Sequence, residues 1–236
     1  MDVILPSLKA QKVNGLIRRF KLNINLRLEK PEDYTEVEVI TREAFWNLHE
    51  PGCCEHFLVH KLHSSDVLIR ELAYVATDGK KIVGNILYSK STIITDDGEE
   101  HEVLTFGPVS VLPTYQRQGI GSALINHTKQ IAADMGYRVI LIYGDPAYYS
   151  RVGFSPAEDY RIKTADGMYA AALQICMLSD DTRLVGIHGR FVEDPIFDIN
   201  QEEAAYFDKR FPVKEKISGT DSQNRFLEVV AMRRKP

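Results

Sequence analysis

The stretch from Phe106 to Ser122 constrains this chain more than any other. Residues 102–111 read as an apolar strand, yet Gly107-Pro108 interrupts it, and a proline that donates no ladder hydrogen bond belongs at an edge or a bulge. A strand placed here must splay from a neighbour, which frees N–H groups such as those of Val109 and Val111 to bond something other than protein. Directly afterwards Gln116-Arg117-Gln118-Gly119-Ile120-Gly121-Ser122 sets two glycines and polar side chains at a helix start. Unpaired N–H groups and the helix dipole favour an anion there, and a pyrophosphate would fit. The stripe Ile120, Ala123, Leu124, Thr128, Ile131, Ala132 and Met135 defines the helix, and Gly136 ends it. Val139-Ile140-Leu141-Ile142-Tyr143 follows as an unbroken apolar run, typical of a strand covered on both faces. Strand, helix and strand in this order require a parallel pair. A dinucleotide-binding Rossmann unit is excluded, because position 124 is Leu where a third glycine is needed and the preceding strands are antiparallel.

The elements on either side complete the pattern. Ile24-Asn25-Leu26-Arg27-Leu28 alternates as a strand does, and Pro31-Glu32-Asp33 opens a helix carrying Val37, Ile40, Ala44 and Phe45. A Pro51-Gly52 break separates it from a second helix over 54–63. Residues 72–76 and 82–88 flank the turn Asp78-Gly79, and Asp96-Asp97-Gly98 leads into the strand at 102–111, giving a three-stranded meander. A short helix near 147–152 ends at Gly153, and residues 172–177 form another strand. The expected organisation is an irregular or locally helical arm over 1–22, a domain over 23–180 and an extension over 181–236 packed on that domain. The extension should contain a strand near 187–192, an acidic helix near 201–209 and a charged tail ending Arg233-Arg234-Lys235.

Composition narrows the function. With 44% hydrophobic and 26% charged residues, the 236-residue chain can bury a sizeable core. Its 29 Lys plus Arg against 33 Asp plus Glu give a net charge of -4, so no nucleic acid partner is expected. Three cysteines, of which Cys53 and Cys54 are adjacent and Cys176 sits in an apolar strand, make no disulfide framework. No apolar run reaches the roughly 18 residues of a membrane span, and the opening segment carries Asp2 and Pro6 in place of a basic signal. A cytoplasmic protein with no membrane partner is expected.

With Gln116, Gly119 and Gly121 following a bulged strand, the chain resembles the GNAT family of acetyl-CoA-dependent N-acetyltransferases, whose hallmark is Q/R-x-x-G-x-G/A at this place. Tyr149-Ser150-Arg151-Val152-Gly153-Phe154 is similar to the family's Tyr-x-x-x-Gly-Phe element, and the β-α-α-β-β-β-α-β-α-β order is the family's order. The resemblance spans about 23–178. The segments from Phe106 to Pro113 and from Gly144 to Tyr149 further resemble a bacterial subgroup of predicted acetyltransferases in which a C-terminal extension is usual. The resemblance implies an α/β fold with a mixed, mostly antiparallel central sheet (the GNAT acyl-CoA N-acyltransferase fold), splayed between its fourth and fifth strands counted from residue 24. It implies acetyl transfer to a primary amine by direct attack, with acetyl-CoA as co-substrate and no metal. Val109, Ser110, Val111, Gln116, Arg117, Gln118, Gly119, Ile120, Gly121 and Ser122 would hold acetyl-CoA. Tyr149 would be the general acid, since a phenol of pKa near 10 stays protonated where a thiol of about 8.5 departs as thiolate. Tyr148 is its rival, but only Tyr149 has the spacing to Gly153-Phe154. For the base or the substrate pocket the candidates are Glu55, His56 and Asp145, together with His101 and Glu102. The acceptor is a small-molecule or peptide amine that no motif identifies, and the extension is free to cover the acceptor groove or build a homodimer. The alternative is a catalytically silent acyl-CoA-binding regulatory module on the same fold.

Other constellations have ordinary readings beside functional ones. Cys53, His56, His60 and His63 share one helical face, which suggests either a zinc site or metal sensor, or the lining of a pocket. Cys53 or Cys54 paired with His56 as a nucleophile lacks any feature that would lower a thiol pKa. Trp46 is expected to pack. The basic ends, Arg18, Arg19 and Lys21 and then Arg233, Arg234 and Lys235, are expected to be solvated in preference to gripping a nucleotide phosphate.

Overall fold

The computed structural model describes residues 3–13, 16–178 and 188–236, with side chains from residue 23 onward. The sheet runs in the order β1 (Val3–Val13), β2 (Leu16–Leu28), β3 (Tyr74–Asp78), β4 (Lys81–Thr95), β5 (Glu100–Val111), β6 (Val139–Tyr143), β10 (Leu173–Met177) and β7 (Ser155–Pro156). Along this path every pairing is antiparallel except β5 with β6, the pair joined through helix α3 (Ile120–Asp134). The fold is therefore a mixed α/β sheet of the expected kind. Gly79 and Gly98, at φ +61° and +89°, make the two hairpin turns at the predicted positions.

One expectation is overturned at the start of the chain. Residues 3–13 pair along β2, from Val3↔Leu26 to Val13↔Leu16, where an irregular or locally helical arm over 1–22 was expected. β3 satisfies only one side of β2, and β1 covers the open edge that would otherwise expose unpaired N–H and C=O groups. The side chains of Arg18, Arg19 and Lys21 lie outside the described residues.

Helices cover both faces of the sheet. α3 packs Ile120, Leu124 and Ile125 against Leu26, Tyr74, Ile86, Tyr88 and Ile140 on one side. On the other, α1 (Tyr34–Phe45) and α2 (Glu55–His63) bring Val37, Ile40, Leu58 and Leu62 against Val75, Ile82 and Leu87. Among the described residues no helix is long and apolar enough to cross a membrane.

From residue 189 the chain rejoins the sheet. β11 (Gly189–Val192) returns to pair antiparallel with the distal half of β4, from Gly189↔Thr95 to Val192↔Thr92, and its Phe191 is buried with Ile93, Leu141 and Ile175. A Cβ at Gly189 would collide with the Ile94 carbonyl, so this close approach needs glycine. Helix α5 (Gln201–Asp208) then docks on α1 and α2. Arg42, 2% exposed, donates through Nε to Asp208 Oδ1 at 2.6 Å and through Nη2 to the Pro212 carbonyl at 3.1 Å, and its guanidinium lies 4.2 Å from the Trp46 ring. Trp46 Nε1 donates to the Glu215 carbonyl at 2.8 Å, so this indole packs as expected.

Arg42→Ala is expected to lower stability by about 3–5 kcal/mol in a urea titration, the typical result of breaking a buried ion pair from one side. A loss below about 1 kcal/mol, the range of exposed pairs, would mean that the extension is not integral to the fold.

Helix α6 (Asp221–Ala231) was not expected from the sequence. Its signal is the capping box Thr220-x-x-Gln223, in which the Gln223 N–H donates to Thr220 Oγ1 at 3.2 Å and Gln223 Oε1 accepts from the Thr220 N–H at 3.3 Å. The tail is exposed, as expected, but it is also tied to the domain. Arg233 and Arg234 form β12, which pairs with β9 (Tyr169–Ala170), and the two guanidinium groups bind Asp166 and Glu158.

Candidate active site

β5 and β6 pair in the ladder at Leu104↔Ile140 alone and splay beyond it. Opposite Tyr88 and Ile86 of β4 stand Phe106 and Val109 of β5, so Gly107 and Pro108 together face Leu87, which is the bulge the proline predicts. Leu112 N–H donates to the Val83 carbonyl at 2.9 Å. Alternation back along the antiparallel ladder puts Ser110 in a bonded pair with Asn85 and turns the N–H groups of Val109 and Val111 away from β4, into the split.

The split opens into a cleft of about 990 Å³. One end is the turn before α3, where Gln116, Arg117, Gly119, Ile120, Gly121 and Ser122 all line the wall. Gln116 Nε2 donates to the Val111 carbonyl at 3.0 Å and ties this turn to the strand. Arg117 and Gly119 hold φ of +59° and +82°, which curls the backbone so that the first N–H groups of α3 point into the cleft. A Cβ at Gly119 would meet nothing within 4 Å, so the space in front of the helix is open. Two of the predicted binding residues are turned elsewhere. Ser110 is buried, its Oγ donating to Thr41 Oγ1 at 3.1 Å, because its position in the ladder faces α1. Gln118 Nε2 donates back to the Thr114 carbonyl at 3.2 Å and is absent from the cleft wall.

The two tyrosines of α4 (Pro146–Tyr149) occupy different places. Tyr148 reaches α3, where a Cβ at Gly121 would stand 2.9 Å from its hydroxyl. Tyr149 lies at the split itself, its ring 6.1 Å from that of Phe106 and 5.6 Å from that of Phe154. It covers Gly144 so closely that any side chain there would collide with it. Burial pushes the Tyr149 phenol above its ordinary pKa, and no described residue hydrogen-bonds it.

Of the candidate bases, few remain free in the cleft. Glu55 lines it but accepts from His49 Nδ1 at 3.0 Å and from the Cys54 N–H at 3.1 Å. Asp145 lines it as well, but it caps α4 by accepting from the Ala147 N–H and is held by Arg225 through two 3.0 Å bonds. The guanidinium keeps its carboxyl below the usual carboxylate range. His56 is fully buried away from the cleft, between Phe207 and Phe211, with Nε2 3.1 Å from Asp208 Oδ1. Burial pushes it down to about 4. His101 and Glu102 stand at the far end of β5, where Glu102 pairs with Lys90 at 2.9 Å.

The remaining histidines of α2 separate in the same way. His60 pairs with Glu38 at 2.8 Å and His63 with Glu29 at 3.1 Å, and among the described residues no group of three His, Cys, Asp or Glu is arranged around a metal position. Burial pushes the Cys53 thiol up and the Cys54 thiol up to about 12, away from thiolate chemistry.

Sequence reasoning missed Glu193. It follows β11 directly and lines the cleft with Phe106, Gly107, Pro108 and Tyr149, and burial, with Asp198 adding to it, pushes its carboxyl up to about 7. The strand that carries it was legible, but its pairing with β4 was not.

Comparison with known proteins agrees with this geometry. Residues 70–156 match the family model of the acetyltransferase (GNAT) domain. The uncharacterized N-acetyltransferase YhbS of Escherichia coli is 28% identical over 172 residues, covering 70% of this chain and 97% of YhbS. The crystal structure of Escherichia coli YhbS in complex with CoA superposes with a TM-score of 0.67 at 26% identity, covering 75% of this chain and 93% of that one. A GNAT acetyltransferase from Brucella melitensis in complex with acetyl-CoA gives 0.60 at 27% identity, covering 75% and 99%. With a sheet opened beside a glycine turn on α3, the chain is similar to GNAT N-acetyltransferases, whose domain model matches residues 70–156.

Proposed function

We propose that the protein moves the acetyl group of acetyl-CoA directly to a primary amine. The observation that carries this reading is the unbroken path from the free N–H groups of Val109 and Val111 to the open, N–H-lined turn at Gly119 and Gly121. Those features fit a thioester arm laid along β5 with its pyrophosphate on the start of α3. The CoA and acetyl-CoA complexes of the two structural relatives support the assignment.

Bound acetyl-CoA supplies an activated thioester carbonyl. The N–H groups of Val109 and Val111 would donate to that carbonyl oxygen as it gains charge, an effect worth about 3–4 kcal/mol for one such donor. Tyr149 would give its proton to the departing thiolate sulfur. Glu193 would take the proton from the amine nitrogen. Gln116, through its bond to Val111, holds turn and strand in register, and Arg117 and Ser122, which line the cleft there, would face phosphate oxygens. Residues 23–180 would form the transferase domain and 181–236 would complete its acceptor side. The free thiols of Cys53, Cys54 and Cys176 suit a cytoplasmic enzyme.

Isothermal titration with acetyl-CoA tests the donor site. Gly119→Glu should weaken binding at least tenfold by setting a carboxylate against the pyrophosphate. Gly119→Ala, which shares the cost of a side chain at φ +82° but adds no charge, should bind within about threefold of the unaltered protein. Equal affinity in all three would remove the pyrophosphate from α3.

A further inference from the structure

Beside the cleft lies a second chamber of about 710 Å³, and the two share Leu48, His49, Tyr143, Gly144 and Asp145. Its outer wall is α6. The helix is fixed across the end of β6 by the Arg225 to Asp145 ion pair and by Phe226, which stacks on His49 at 4.6 Å. The free surface inside is apolar, formed by Leu48, Tyr143, Ala172, Phe226, Val229 and Val230. The charged groups of the wall are already matched: Asp145 with Arg225, Asp166 with Arg233, and His49 with Glu55. A polar or charged ligand group would lose its water here without gaining a partner, whereas an apolar one gains by burial.

The chamber meets the cleft at Tyr143, whose phenol feels the charge of Glu193. Because the chamber and the cleft share these walls, a ligand seated in the chamber can extend its free end into the cleft that Glu193, Tyr149, Val109 and Val111 line, where a carboxylate suits an amine. We propose that the chamber receives the apolar part of the acceptor, so that the substrate class is a small primary amine bearing an alkyl or aryl group. The inference rests on the acetyltransferase reading and narrows it: polyamines, amino sugars and lysine side chains of proteins do not match this wall. The size also agrees, because 710 Å³ lies within the roughly 300–1,000 Å³ of pockets that enclose whole small molecules.

The test is calorimetric titration of the full chain with butylamine, hexylamine and octylamine, with phenethylamine, and with spermidine and a lysine-containing peptide, each with and without CoA. Each added methylene should tighten binding roughly threefold to fourfold until the chamber fills. Octylamine should bind at least tenfold more tightly than spermidine. Val230→Glu, at a position 44% exposed on α6, should keep its melting temperature and its affinity for acetyl-CoA but lose at least tenfold in octylamine affinity. Phe226→Ala should lose less, in the same direction. A flat alkylamine series, a preference for spermidine or the peptide, or an indifferent Val230→Glu would overturn the proposal. Acetyl-CoA binding kept beside a flat series refutes the chamber alone, and alkylamine binding kept without acetyl-CoA binding refutes the donor reading alone.

Discussion

Tyr149→Phe should lower kcat about 100-fold to 1,000-fold, within the usual range for removing a positioned general acid, while acetyl-CoA affinity changes less than about twofold. The asymmetry follows from the geometry. Phenylalanine keeps the ring that packs against Phe106 and Phe154 and covers Gly144, and removes only a hydroxyl that no described residue engages. Because burial raises the phenol above its ordinary value, Tyr149 stays protonated throughout the neutral range and can donate to sulfur. Tyr148→Phe is the control. Its hydroxyl sits against Gly121 at the start of α3, so its loss should act on acetyl-CoA affinity more than on kcat. Steady-state kinetics with thiol release as the signal separates the two, and a Tyr149→Phe enzyme with unchanged kcat would remove Tyr149 from the proton path.

The second large effect belongs to Glu193. Glu193→Gln should lower kcat about 100-fold at pH 8 and abolish an inflection near pH 7 in the profile of kcat against pH. A base works only when unprotonated, and burial together with the neighbouring Asp198 raises this carboxyl to about 7. The rate in the unaltered enzyme should therefore climb about tenfold per pH unit below 7 and flatten above it. Among the described residues the charge of Asp198 raises Glu193, and Glu193 in turn helps to push the Tyr143 phenol upward. Asp198→Asn should accordingly move the inflection to lower pH and leave the plateau in place. An inflection that persists in Glu193→Gln would assign the base to another group. Since kcat reports the enzyme with both substrates bound, the protonation of free amine in solution does not imitate this limb.

Most of the donor side was legible because its determinants are local. A proline inside a strand, two glycines at a helix start and an apolar stripe ending at Gly136 each fix the backbone within a few residues, and together they predicted the split, the turn and α3 where they are found. Ser110, expected beside Val109 and Val111, is turned away by strand parity, which the structure shows and the sequence reading did not apply. Tyr149 was distinguished from Tyr148 by spacing alone, and the structure separates the two rings, one at the split and one at α3.

The acceptor side was decided elsewhere. Whether a carboxylate is free depends on its partners, and the partners of Asp145, Glu55 and His56 are Arg225, His49 and Asp208, none of which their surrounding sequence names. Glu193 enters the cleft only because β11 pairs with β4 about 100 residues earlier, and α6 walls the chamber only because Arg225 and Phe226 find Asp145 and His49. Local pattern thus determined the central strands β3 to β6, the opening between β5 and β6, and the glycine turn before α3. Long-range packing alone set the pKa of Glu193 and the shape of the chamber, because side chains distant in sequence acquire pKa and burial only from what the fold sets beside them.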